Sequence, residues 1–181
     1  MSNFLPDGYS KPVSMSKYFT PSKLPIGDNK FRILSDAIVG WLDWSDKKPV
    51  RTHDKPEHSI DPKKPAKPFW AFVIWDYRDE AIKIMEITQN SIQTAIYELH
   101  SDENWGHPKN FDLNLKRTGA ELETRYSVIP MPPKPINETI ARFYAESKID
   151  LNALFDGLDP FNSENAPEVG GETYQGEEIA F

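Results

Sequence analysis

Cysteine is absent from the 181-residue chain. That excludes disulfides, thiolate catalysis and the common cysteine-based zinc frameworks. Basic residues are absent after Lys148. Residues 149–181 carry eight Asp and Glu with no Lys or Arg, whereas residues 1–148 carry 21 basic and 20 acidic residues. The net charge of −7 therefore averages a near-neutral body and a wholly acidic tail, an asymmetry that suggests an interaction tail. No apolar run approaches the ~18 residues of a membrane-spanning helix, so no membrane association is expected. The opening "MSNFLPDGYSKPVSMSKYF" has no apolar stretch of the kind that a secretory signal needs. Phosphate-cradling G-x-x-x-x-G-K-[ST], dinucleotide-binding G-x-G-x-x-G and nucleophile-elbow motifs are all missing. The positive signals point to binding rather than catalysis, and no cofactor is expected.

Aromatic residues are what the chain has in quantity: five Trp, seven Tyr and ten Phe. Residues 1–25, broken by Pro6, Pro12, Pro21 and Pro25, read as an irregular N-terminal arm. In "NKFRILSDAIVGWLDW", Phe31 and Ile33 alternate with Lys30 and Arg32, the period of a half-buried strand. This predicts one long curved strand ending near Trp44, with a bulge or bend at Gly40. Residues 45–68 hold five prolines and read mostly as loop. A loop of that length in a compact domain is usually functional or disordered. "FWAFVIWDYRDEAIKIMEIT" reads as a hairpin over 69–75 and 81–87. A helix follows, with Asn90 as N-cap and Ile92, Ala95, Ile96 and Leu99 on one stripe, ending near Asp102. Alternation in "FDLNLKR" and "LETRYSVIP" predicts two more strands, the second bringing Leu122, Thr124, Tyr126 and Val128 to one face. Short helices are expected at 138–147 and in "DLNALFDG", between an Asp150 cap and a Gly157 stop.

The expected fold is mainly β with minor α. It is a five-stranded antiparallel OB-fold barrel with one helix between strands 3 and 4, the layout that binds oligonucleotides on one sheet face. The expected units are the arm at 1–25, the barrel at 26–135, a short helical extension at 136–161 and an acidic tail at 162–181.

In "PFWAFVIWDY", Trp70, Phe72 and Ile74 point one way and Phe69, Ala71, Val73, Trp75 and Tyr77 the other. A barrel buries one strand face, so one ring set is expected outside the core. Rings that stack on bases and cations that meet phosphates are what sequence-tolerant binding of single strands requires. The candidate stacking residues are Trp41, Trp44, Trp70, Trp75 and Tyr77, with Tyr77 expected to be the most exposed. The candidate phosphate contacts are Lys47, Lys48, Arg51, Lys63, Lys64, Lys67, Arg78 and Lys83. "RTHDKPEHSID" gathers His53, Asp54, Glu57, His58 and Asp61, groups able to hold a metal or move protons. The stretch is proline-broken and no partner cluster lies elsewhere, so no metal site is expected. His100 is expected to be a solvated helix residue.

The segments "LPIGDNKFRILSDAIVGWLDW", "FWAFVIWDYRDEAIKIMEITQNSIQTAI", "WGHPKNFDLNL" and "RYSVIPMPPKP" resemble the OB-fold single-stranded DNA-binding proteins of tailed bacteriophages. The resemblance spans roughly residues 24–135, with an echo in "LFDGLDPF". It implies sequence-independent binding of single-stranded DNA in phage replication, recombination or repair, in the cytoplasm of a bacterial host cell. The tail resembles the C-terminal tail of bacterial single-stranded DNA-binding proteins, whose tip docks on replication and repair enzymes. Here the tip is Glu177, Glu178, Ile179, Ala180 and Phe181, with Ala180 where the bacterial tip has proline. Alternative readings are an OB-fold RNA-binding module, a protein-interaction adaptor, and a metal-dependent nuclease using the His53–Asp61 cluster.

Overall fold

The computed structural model describes residues 16–162. The chain is mainly β with a few helices. Its strands are β1 (Tyr18–Phe19), β2 (Gly27–Ile33), β3 (Ile38–Ser45), β4 (Lys48–Thr52), β5 (Lys67–Asp76), β6 (Ala81–Ile87), β7 (Asp112–Thr118) and β8 (Arg125–Pro130). Helix α1 (Asn90–Ser101) lies between β6 and β7, and α2 (Glu138–Ser147) follows β8. A short 3-10 segment, Leu151–Asp156, follows α2. The eight strands form one sheet in the order β1-β6-β5-β2-β7-β8, with β3 pairing β4 and β5. The expectation was five strands closed into a barrel. No ladder among the described residues joins β8 to β6 or β1, so the sheet is not closed.

Where one curved strand is expected over residues 30–44, the chain forms β2 and β3, both paired with β5. Ile33 faces Ile74 and Ile38 faces Ala71, so residues 34–37 oppose only Phe72 and Val73. The backbone N–H of Leu34 donates to the Val73 carbonyl at 2.9 Å, and that of Val73 donates to the Ser35 hydroxyl at 2.8 Å. The break thus falls at 34–37, whereas register through Gly40 is regular. Gly40 is needed for a different reason. A Cβ there would sit 2.5 Å from the Thr52 carbonyl oxygen and 2.9 Å from the rings of Phe69 and Phe155.

Part of the region read as loop at 45–68 is strand β4, joined to β3 by Asp46 and Lys47, both at positive φ. That is the backbone handedness of the two-residue turn that matches strand twist. The N-terminal arm also contributes: Tyr18 and Phe19 pair in parallel with Ile84 and Met85, and Phe19 is buried. Leu122 is fully exposed on a 3-10 turn, Glu121–Glu123, so β8 begins later than the alternation suggests. Helix α1 starts at Asn90 behind Gln89, which makes no side-chain cap bond, and ends at Asp102 as expected.

Alternation along β5 divides the buried residues between two sheet faces. Phe72 and Ile74 join Phe31, Ile33, Met85, Ile87, Phe111, Leu113 and Leu115 beneath Ile92 and Ile96 of α1. On the opposite face, Phe69 and Ala71 pack with Leu42, Ile84 and Leu154, while Val73 and Trp75 pack with Leu34 and Ile140. The segment after β8 therefore covers the outer sheet face. The 3-10 segment ends at Gly157, whose φ of 67° lets its N–H return to the carbonyls of Ala153 and Leu154. Asp150 caps its start by accepting from the N–H of Asn152.

Candidate nucleic-acid interface

The outer face is the one to which alternation assigned Phe69, Trp75 and Tyr77. The C-terminal segment takes Phe69 and Trp75 out of solvent and packs against part of Tyr77. Trp75 is 7% exposed and stacks on Phe143 of α2, with ring centroids 5.8 Å apart. Phe69 is fully buried. Tyr77 donates its hydroxyl to Asp112 at 2.7 Å and carries the Lys30 ammonium over its ring at 4.4 Å. Burial and then the Asp112 carboxylate push its phenol pKa upward, so it stays neutral. Trp75 is thus a packing residue, a correction to its assignment as a stacking ring, while Tyr77 is partly buried and tied to Asp112.

Two cations are also committed to carboxylates. Arg51 grips Glu86 with two hydrogen bonds, 2.7 and 3.2 Å long. Lys83 is buried between Asp76, at 2.8 Å, and Asp79. Burial alone would lower its pKa, but the two carboxylates outweigh that and raise it. Arg78 hydrogen-bonds the Asn29 side chain. Arg51 and Lys83 thus offer no free cation to a phosphate, whereas Arg78 is exposed and its amide partner leaves its charge unneutralised.

What stays uncovered on the outer face is one end of the β3–β5 ladder. Trp44, 39% exposed, opens onto a cleft of about 400 Å³ lined also by Leu42, Lys63, Lys64, Pro65, Lys67 and Thr88. Strand alternation puts Trp44 on the face of Leu42 and Gly40. The loop that carries the lysines is held by short-range bonds. Asp43 is buried, accepting from the N–H of Trp44 at 2.8 Å and from the N–H of Ile60 at 2.9 Å. Asp61 accepts from the N–H of Lys63 at 2.9 Å through its side chain and from that of Lys64 at 2.9 Å through its carbonyl. Ser59 accepts from the N–H of Ala66 at 2.8 Å. The backbone is thereby fixed while the side chains of Lys63, Lys64 and Lys67 remain exposed, and they form no ion pair with any of the described residues. Lys47 and Lys48 are exposed at the β3–β4 turn, three and four residues along from Trp44.

Trp41 and Trp70 lie on the other face. Trp41 carries the Lys55 ammonium over its ring at 5.3 Å, and Trp70 packs half-buried against the core beneath α1. The candidate residues thus separate into a cleft around Trp44, a second ring pair on the reverse face and a packed remainder. Sequence reasoning missed Asp43, the anchor of the loop, and Lys55. A lone carboxylate between Leu42 and Trp44 in a strand was the available signal for the first.

His53 lies flat against Phe155, with centroids 3.8 Å apart. Among the described residues, no three His, Asp or Glu side chains converge as a metal-holding group. No helix there is long and apolar enough to cross a membrane. The tip residues Glu177, Glu178, Ile179, Ala180 and Phe181 lie outside the described residues. Comparison with known protein families, characterised proteins and solved structures finds no match.

Proposed function

We propose that the protein binds single-stranded DNA without reading its sequence, on an OB-type framework whose binding surface centres on Trp44. The observation that carries this reading is the cleft itself: one half-exposed indole shares it with Lys63, Lys64 and Lys67. An indole offers a π face to any base, and ammonium groups meet any phosphate, so the pair serves a strand of arbitrary sequence. Strand order supports the framework. With β2 and β3 taken as one bent strand, the ladder runs third, second, first, fourth, fifth, with α1 between the third and fourth. That succession is the OB arrangement with its last seam unpaired. The sequence resemblance extends the proposal. The strand is that of a phage genome during replication, recombination or repair in the bacterial host cell. The residues from Glu177 to Phe181 recruit partner proteins, and catalysis plays no part.

Trp44→Ala tests the reading. It should weaken binding of an oligothymidylate by ~1–3 kcal/mol, the usual worth of one stacked base, and leave the unfolding midpoint nearly unchanged. Unaltered affinity in the folded variant would move the site elsewhere.

A further inference from the structure

A second recess opens on the reverse face of the sheet, where it meets α1. It is lined by buried Phe72 and Ile96, the rings of Trp70 and Tyr97, and His100 and His107 at its edge. Its volume is about 170 Å³. That is far below the ~300–1,000 Å³ of sites for drug-sized ligands and well above the ~10–15 Å³ needed for one water. It suits a single planar ring system.

The surroundings are unusually apolar for a surface. Tyr97 is 61% exposed, and Val39, paired with Trp70 across β3 and β5, is 59% exposed. Strand alternation puts Val39 on the same face as Trp41, over whose ring Lys55 stands. A row of rings and cations therefore runs from Lys55 and Trp41 past Val39 to Trp70 and Tyr97. It ends at His107 and Lys109, which both approach Asp36, at 3.6 and 2.7 Å.

We propose that this recess is a base-insertion subsite. It takes one nucleobase of the same single strand, turned out of its stack, while Lys55 meets the sugar–phosphate on the Trp41 side. The proposal rests on the reading of the Trp44 cleft as the primary site. Trp44 lies on one face of β3, and Val39 and Trp41 on its other face lead to the recess beside Ala37 and Trp70, so a single strand passing over the β3–β4 hairpin reaches both. Such a track fits within the ~4–16 nucleotides that one OB fold covers. An apolar slot walled by rings favours a base over an acidic or aliphatic peptide, and the imidazoles at its edge supply hydrogen-bond partners for the base edge. His100 is exposed on α1, as expected, and also lines the recess.

Two variants test the subsite without disturbing the buried core. Tyr97→Ala removes a wall, and Ala37→Phe fills the recess from an exposed position that lines it. Each is compared with wild type and Trp44→Ala on oligothymidylates of about 4 and about 16 nucleotides, with circular dichroism as the check on folding. The expected result is a loss of about 5-fold or more on the longer strand for both variants, with the short strand, seated at Trp44, unaffected. Wild-type affinity of both variants for the longer strand, with Trp44→Ala still impaired, would overturn the subsite and leave the primary site standing. No binding of any oligonucleotide by wild type would overturn both. A peptide of residues 177–181 that quenches wild-type tryptophan emission but not that of Ala37→Phe, with DNA binding unchanged in that variant, would also overturn it and assign the recess to a protein tip.

Discussion

At the scale of the residue, one type does opposite things in this chain according to what covers it. Trp44 and Trp75 are both strand tryptophans on the outer face, yet Trp44 meets a lysine-lined cleft and Trp75 meets Phe143. Trp75→Ala should lower stability by ~3–5 kcal/mol, the cost of truncating a large buried ring. The affinity of the surviving folded protein for single-stranded DNA should be unchanged, the reverse of the outcome for Trp44→Ala. Urea unfolding paired with a binding titration separates the two. Asp112 sets a second residue-level expectation. It is fully buried, with the Arg32 guanidinium at 3.3 Å, the Lys134 and Lys30 ammonium groups at 2.9 and 3.3 Å, and the Tyr77 hydroxyl at 2.7 Å. Burial alone would raise its pKa, but Lys134, Tyr77 and Lys30 outweigh it and hold the carboxyl below its ordinary value. A pKa below that of the unfolded chain, ~3.9, means a stabilising contribution present above about pH 4 and lost as pH falls through the folded value. Asp112→Asn should cost ~3–5 kcal/mol at pH 7, because it strands the buried Arg32 charge. Its unfolding free energy should also fall less steeply than wild type between pH 4 and lower pH. Equal acid slopes in the two proteins would mean that Asp112 does not carry the acid sensitivity.

At the scale of the element, the loop between β4 and β5 is the part whose chemistry is most specific. Asp43, Ser59 and Asp61 fix its backbone and leave Lys63 and Lys64 to solvent. Replacing both with Ala should reduce the log–log dependence of affinity on salt by about one unit, given ~0.7 per neutralised phosphate on single strands. An unchanged slope would remove the loop from the site. The β3–β4 turn offers a matched control. Lys47 sits at φ 65°, where a side chain costs ~1–2 kcal/mol relative to glycine. Lys47→Gly should therefore raise stability by about 1 kcal/mol in thermal unfolding, whatever it does to DNA binding. These two elements also show what the sequence made legible. The β5 and β6 hairpin, the end of α1, α2 and the Asp150 and Gly157 caps were readable because each rests on local periodicity or local turn chemistry. The two-sided ring pattern of β5 was readable too. Its cover was not, because Ile140 and Leu154 come from some 65 to 85 residues downstream. Strand β4 was hidden by its proline and by a turn that uses Asp46 and Lys47 where Asn-Gly is the usual signal. The commitment of Arg51 to Glu86 and of Lys83 to Asp76 depends on cross-strand register, which composition does not carry.

At the scale of the whole molecule, the outer sheet face is divided between a folded cover and an open end. The charge is divided between a near-neutral body and residues 149–181 with none but acidic side chains. Residues 162–181 contribute five glutamates to that second part and lie, apart from Asn162, outside the described residues. Truncation after Phe161 should raise affinity for single-stranded DNA at low salt and have little effect at high salt, because exposed charges are screened beyond ~10 Å at 0.1 M. Equal affinities of the truncated and full-length chains at every salt concentration would mean that the tail does not act on the binding surface. The central claim, a single-strand surface built on Trp44 and the loop lysines, is tested most directly by one titration. Tryptophan emission of the full-length protein is followed as single-stranded DNA, single-stranded RNA and duplex DNA are added at the same salt concentration. Saturable quenching by single-stranded DNA and little by duplex is the predicted result, with single-stranded RNA quenching more strongly than DNA marking the protein as an RNA binder instead. Tighter binding of duplex than of single strands, or no response to single-stranded DNA at low salt, would contradict it.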